Sequence, residues 1–214
     1  MDKTLRRVTD FKEQRAETYR YWQSRPLSER VEAITEIARD VYCARGIDVD
    51  TRPSDKTIVR RERFSRTAVQ ENRLSMFRYL VIGGYAVGIH SVPRGTKDLA
   101  LFIRAGREYS ERVFRALAEF GAPAAGMSPS DFNDSPASVF QMGSPPSRID
   151  ILQGVEASDF DEAWADRTED VVGGEIPAHF ISRADLIRNK PAVGRHQDLA
   201  DVERLREAAE LKGE

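Results

Sequence analysis

Cysteine is almost absent from this sequence, since Cys43 is the only one among 214 residues. A single thiol excludes a disulfide within the chain, and with it the class of small secreted domains that depend on disulfides. We therefore expect a reducing, cytoplasmic setting. No histidine lies near Cys43 in the sequence, so we predict a small buried residue rather than a nucleophile.

Long apolar runs are also missing. No stretch approaches the roughly 20 apolar residues that span a bilayer, and the first residues, MDKTLRRVTDFKEQR, are charged rather than apolar as in a signal peptide. Neither sign of charge dominates, because 33 basic residues face 35 acidic ones, for a net charge of −2. The composition predicts no membrane partner and no general attraction to nucleic acid, but it leaves room for a local basic patch.

Histidine and tryptophan are scarce as well. His90, His179 and His196 are far apart in the sequence and lack the spacing of metal ligands, so we interpret them as structural or surface residues. Trp22 and Trp164 are predicted to anchor a core or an interface.

The sequence divides into two regions that differ in charge content and in the pattern of apolar residues. Residues 1–75 are highly charged and predict a helical N-terminal extension, with one helix over 2–22 and a second that begins after the N-cap Ser28 and ends near Gly46. The apolar stripes of these helices could pack on the chain's own core or bind a partner protein. The basic stretch 48–66 is open to two interpretations, a solvated linker or a patch that contacts phosphate or RNA.

Residues 76–214 alternate between strand-like and helix-like patterns and predict a second domain of α+β class. We expect the following elements: apolar runs at 77–82, 85–89 and 99–103, a helix over 110–120, strands at 139–142 and 148–152, a short helix over 159–167, a hairpin within 171–181, a helix from Ser182 that Pro191 interrupts, and a last helix over about 197–211 with Leu199, Val202, Leu205 and Ala209 inside.

The segment from Leu80 to Ile103 combines features that serve phosphate chemistry. Gly83 and Gly84 follow an apolar run, and thirteen residues separate Gly84 from Asp98, which begins a strand. Positions 98, 100 and 102 of that strand share one face, so acidic residues at 98 and 100 would direct two carboxylates at one point. Such a pair binds divalent metal in phosphoryl-transfer enzymes. Asp150, between two isoleucines on a later strand, could supply a third carboxylate, because a charge there would be costly unless it is paired or binds metal. Alternatively, Arg148 could pair with Asp150 across an edge.

These residues resemble the signature of the nucleotidyltransferase superfamily, and most closely its bacterial toxin and abortive-infection branch. The resemblance extends over roughly residues 78–206 and includes the segment 94–98, the strand that ends near Leu152, and the tail 181–203. It implies a nucleotidyltransferase fold, in which a small mixed sheet is flanked by helices.

The resemblance also implies roles for individual residues. Asp98 and Asp150 would bind metal, in a site for two Mg²⁺ ions, and Asp150 would help to activate the attacking hydroxyl group. Position 100 completes the catalytic set. The residues expected to contact the nucleotide and its phosphates, directly or through a neighbour, are Gly83, Gly84, Arg94, Thr96, Lys97, Lys190 and Asp198.

The reaction that the resemblance implies is transfer of a nucleoside monophosphate from an NTP substrate. The acceptor would be the 3′ end of an RNA, such as tRNA, or a hydroxyl group on a protein. The chain would be the toxin of a toxin–antitoxin system, with an antitoxin protein as a further partner.

Ala100 departs from the family pattern, which has Asp or Glu at this position. Alanine has no ligand atom, so we expect the activity of this chain to be impaired. Two explanations are open: a natural relative that has lost catalysis and binds nucleotide, RNA or a partner protein, or an enzyme in which an aspartate was deliberately replaced by alanine.

Overall fold

The structure, a computed structural model, describes residues 11–46, 77–122, 127–133, 139–143, 148–172 and 176–213. The predictions for the start of the first helix and for the basic stretch 48–66 lie outside the described residues. All statements below concern the described part of the chain.

Seven helices and six strands follow one another in a mixed order. The helices are α1 Phe11–Gln23, α2 Leu27–Cys43, α3 Gly83–His90, α4 Arg107–Phe120, α5 Phe160–Ala165, α6 Arg183–Val193 and α7 His196–Lys212, and a 3₁₀ turn covers Pro129–Phe132. The strands are β1 Tyr79–Ile82, β2 Asp98–Ile103, β3 Val139–Met142, β4 Arg148–Leu152, β5 Thr168–Val172 and β6 Ile176–Phe180.

The six strands form one mixed sheet in the order β3-β4-β2-β1-β6-β5. β1 is antiparallel to β2 and parallel to β6, while β2 is parallel to β4. The outer strands β3 and β5 pair antiparallel with β4 and β6. Helices flank this sheet, so the predicted α+β class, a small mixed sheet with helices around it, is confirmed.

The main core lies between the central strands and the helices that pack on them. Leu80, Phe102 and Phe180 from β1, β2 and β6 are buried there together with Leu186 of α6 and Leu205 of α7. Their burial removes apolar surface from water and stabilises the centre of the sheet.

Helix α2 packs on this core rather than standing apart. Leu27 belongs to the core cluster, and Ile34 is fully buried against α3, where Gly88 leaves room for it. A Cβ at Gly88 would lie 2.5 Å from Ile34 Cδ1. The sequence left open whether the apolar faces of the N-terminal helices pack on the chain's own core or bind a partner protein. The inner face of α2 packs on the chain's own core.

Two predictions about α2 are wrong. The helix begins at Leu27 after Pro26, so Ser28 lies inside its first turn and is not the N-cap. Pro26 can precede the helix because its fixed φ suits the first turn, where no N–H partner is needed. Cys43 is exposed at the end of the helix instead of buried, since the inner face ends at Ala38.

Two predictions about the last helices are also wrong. Pro191 does not interrupt α6, which continues to Val193 and ends at Gly194 with φ of +73°. The proline lies in the last turn and removes only one helical hydrogen bond there. Leu199 is 49% exposed, because the inner face of α7 is instead the series Asp198, Asp201, Val202, Leu205 and Ala208.

No helix in the described ranges has the length and apolar character that a membrane crossing requires.

Candidate functional site

The junction between β1 and α3 is built by two glycines. Gly83 has φ of +67°, a conformation that other residues adopt only with strain, and it turns the chain from the strand directly into the helix. Gly84 is buried against the loop that precedes β2. The first backbone N–H groups of α3 have no partner within the helix, so this junction is suited to bind an anion.

Replacing Gly84 by alanine is expected to lower the free energy of unfolding by about 1–3 kcal/mol, the usual cost of overpacking. The added Cβ would lie 2.4 Å from Thr96 Oγ1 and 2.6 Å from Thr96 Cβ, so the loop would have to move. Urea unfolding measures the effect. The double variant Gly84→Ala, Thr96→Gly removes the clash and should recover part of the loss; strictly additive effects would contradict this explanation.

Strand pairing brings the predicted carboxylate positions together beside this junction. In the parallel pair of β2 and β4, Asp98 is opposite Arg148 and Ala100 is opposite Asp150. On its other side Ala100 pairs with Ile82, the last residue of β1. A Cβ on Gly83 would lie 3.4 Å from the Ala100 Cβ. Position 100 is therefore at the centre of the site, between the glycine turn and Asp150.

The guanidinium group of Arg148 bridges the two carboxylates that are present. Its Nη2 donates to Asp98 Oδ2 at 2.5 Å and to Asp150 Oδ2 at 2.9 Å. Arg148 Nε and Asp150 Oδ1 are 2.8 Å apart but are not aligned for a hydrogen bond. Burial alone would lower the pKa of Arg148, but its hydrogen bonds and the charges of both aspartates raise it.

A second charged cluster lies between the loop before β2 and the last two helices. Arg94 donates to both carboxylate oxygens of Asp201, at 2.8 and 2.6 Å. Lys190 Nζ lies 2.9 Å from Asp198 Oδ1 and 2.8 Å from Asp201 Oδ2, and Arg195 Nε donates to Asp198 Oδ2 at 2.7 Å. Arg204 adds a more distant cation, with Nη1 3.9 Å from Asp201 Oδ1. Positive charges therefore outnumber the two buried carboxylates of this cluster.

The pKa values of the two aspartates reflect this arrangement. Burial would raise the pKa of each, but hydrogen bonds and positive charges outweigh burial and hold both pKa values below the ordinary value of aspartate. For Asp201 the donors are Arg94 and Lys190, and for Asp198 they are Arg195 and Lys190. Both aspartates are therefore ionised at neutral pH and keep the cations in place.

The two clusters border one open cleft with a volume of about 1660 Å³. Its walls include every residue for which the sequence predicts a role in the site, from β2, β4, α3, α6, α7 and the loop before β2. These residues are Gly83, Gly84, Arg94, Thr96, Lys97, Asp98, Ala100, Asp150, Lys190 and Asp198. The structure therefore brings together side chains that are more than one hundred residues apart in sequence.

Neither a scan against models of known protein families nor a search of curated proteins finds a match to this chain. Membership of the nucleotidyltransferase superfamily consequently stays a prediction, and it depends on the residues and geometry described above.

Three features of the site were not predicted from the sequence. The alternative that Arg148 pairs with Asp150 is confirmed, but the contact of Arg148 with Asp98 was not predicted. Asp201 follows Asp198 by three residues on the same side of α7, a spacing that could have indicated a buried acidic pair. Arg195 lies just before this helix, where its exposed side chain still reaches Asp198.

The carboxylates of this chain do not fit a site for two Mg²⁺ ions. Ala100 offers no ligand atom, and Asp98 and Asp150 are both paired with Arg148. Within the described ranges, no group of three or more His, Cys, Asp or Glu side chains converges so that it could hold a metal ion. Two carboxylates shared with one guanidinium group are a poor set for ions that prefer several free oxygen ligands.

Proposed function

We propose that this chain is a nucleotidyltransferase-fold protein whose cleft binds a nucleoside triphosphate. The observation that carries this proposal is the position of the Gly83–Gly84 turn, which lies directly beside Ala100 and Asp150 at one edge of the sheet. The turn offers unpaired backbone N–H groups to a phosphate. Arg94, Lys97, Lys190 and Arg195 line the same cleft and add positive charge.

The transfer reaction is the second part of the proposal. It would move a nucleoside monophosphate from the NTP to the 3′ end of an RNA such as tRNA, or to a protein hydroxyl group, and it would require a carboxylate at position 100. This activity suits a cytoplasmic toxin that an antitoxin protein holds in check. The chain as it stands would bind the nucleotide and not transfer it, because position 100 is an alanine.

The test is to restore the carboxylate with Ala100→Asp and to follow label transfer. Each of the four α-³²P-labelled NTPs is incubated with the protein, Mg²⁺ and either total RNA or total cell protein. Since metal ions supply several kcal/mol of transition-state stabilisation, we expect transfer at least about 100-fold above that of the unchanged chain. The labelled product identifies the acceptor.

Two control variants make the result specific. Ala100→Asn has nearly the same shape as Ala100→Asp without its charge, and Ala100→Asp with Asp150→Asn removes the carboxylate on the neighbouring strand. Both should be inactive. Absence of transfer by Ala100→Asp with all four NTPs and both acceptor mixtures would refute the transferase part of the proposal.

A binding role without catalysis is the second candidate, and one observation favours it. Arg148 pairs with both remaining carboxylates, as expected in a site that no longer uses them to hold metal. Calorimetry with ATP distinguishes the candidates: binding by the chain as it stands, without transfer by Ala100→Asp, supports a nucleotide-binding protein. No binding of any of the four NTPs would exclude both.

A further inference from the structure

The charge of the cleft is unequally distributed between its two ends. At the sheet, Asp98 and Asp150 are ion-paired with one arginine, Arg148, and they border the point where the glycine turn would receive a phosphate. At the helices, positive charges outnumber the carboxylates Asp198 and Asp201. The cations there are Arg94, Lys190, Arg195, the more distant Arg204 and the exposed Lys97. An anion in this cleft is attracted from one end and repelled from the other.

Arg148 decides how strong that repulsion is. Its side chain is 25% exposed, it contacts both aspartates, and it is not among the residues that line the cleft. It therefore acts on an anion through Asp98 and Asp150, by cancelling part of their charge, and is a positioning residue rather than a ligand. A divalent cation that bound these aspartates would have to displace the guanidinium group from at least one of them.

We propose that the cleft binds the polyphosphate group of a nucleotide without a divalent cation, with Arg148 as the built-in counter-ion of Asp98 and Asp150. This inference rests on the proposed nucleotide binding and adds that the cation requirement has been lost. Two features of the site lower its affinity for a divalent cation. Position 100 has no carboxylate, and the other two carboxylates are paired with arginine, so each feature removes free oxygen ligands.

The experiment measures binding of ATP and of inorganic tripolyphosphate by calorimetry, once with EDTA and once with Mg²⁺. For the unchanged chain we expect binding in EDTA that is at least as tight as in Mg²⁺. For Arg148→Gln we expect affinity in EDTA to fall at least about tenfold, because two unbalanced carboxylates then repel the phosphates. Arg115→Gln, an exposed arginine on α4 outside the cleft, is the matched control and should bind like the unchanged chain.

A second measurement keeps the test informative if Arg148→Gln binds no ligand at all. With its carboxylates freed, this variant should gain thermal stability when Mn²⁺ or Mg²⁺ is added without nucleotide, whereas the unchanged chain should not. Arg148→Lys keeps the charge and should retain binding in EDTA.

Several results would overturn the inference. ATP binding by the unchanged chain that requires Mg²⁺, equal affinity of Arg148→Gln and the unchanged chain in EDTA, or stabilisation of the unchanged chain by divalent cations alone would each contradict it. The first of these leaves the proposed function intact. Conversely, binding in EDTA combined with inactivity of Ala100→Asp supports the inference and refutes only the transferase reaction.

Discussion

Replacement of Asp201 by asparagine is expected to lower the free energy of unfolding by about 3–5 kcal/mol, the cost of removing one partner from a buried ion pair. Asp201 is completely buried, accepts two hydrogen bonds from Arg94 and pairs with Lys190. Asparagine preserves the shape but removes the negative charge that these two cations share. Unfolding in urea, followed by tryptophan fluorescence, measures the change.

The control for this variant is Glu203→Gln on the same helix, which removes an exposed carboxylate and should change the free energy of unfolding by less than about 0.5 kcal/mol. The loss in Asp201→Asn should be partly recovered by adding Arg94→Met, since one of the two uncompensated cations is then removed. If Asp201→Asn were as stable as the unchanged chain, the ion pairs of Asp201 would contribute nothing to the free energy of unfolding. The charged cluster beside the cleft would then serve binding and not stability.

Most of the sheet could be predicted from the sequence because its strands carry strong local signals. The run at 99–103 is apolar, and the run at 148–152 alternates charged with apolar residues. Both appear as strands with nearly the predicted bounds, β2 and β4. The glycine pair at 83–84 could be located because an apolar run ends directly before it. These patterns involve only residues that are close in sequence, so the strands and the glycine turn can be predicted without knowledge of the fold.

The electrostatics of the site could not be predicted in the same way, because they depend on strand order and on helix phase. That Arg148 reaches Asp98 follows only from the parallel pairing of β2 with β4. The sequence predicts Leu199 on the inner face of α7, because apolar residues are the ones most often buried in a core. In the structure, Asp198 and Asp201 are buried on the inner face of α7 instead, because Arg94 and Lys190 compensate their negative charges.

Mild acid is expected to destabilise the protein through His90, well before most carboxylates are protonated. Burial, opposed by a hydrogen bond to the Ile181 carbonyl and assisted by the positive charges of Arg183, Arg30 and Lys212, lowers the pKa of His90 from 6.5 to about 4. The Nε2–H donates to Ile181 O at 2.7 Å. Because the pKa is about 4, the ring stays neutral in the folded protein at higher pH. Only the unfolded chain binds a proton between these two values, and stability present above pH 6.5 is lost as the pH falls.

The size of the effect follows from the difference between the pKa values of His90 in the unfolded and the folded protein. Between pH 7.5 and pH 5 the free energy of unfolding should fall by about 2 kcal/mol on account of His90, approaching about 3 kcal/mol near pH 4. His90→Gln can still donate to the Ile181 carbonyl but does not titrate, so its urea midpoint should depend much less on pH over this range. The slope that remains is expected from His179, whose pKa burial also lowers. The exposed His196→Gln is the control and should keep the full slope. An unchanged slope in His90→Gln would show that the pKa of His90 is the same in the folded and the unfolded protein.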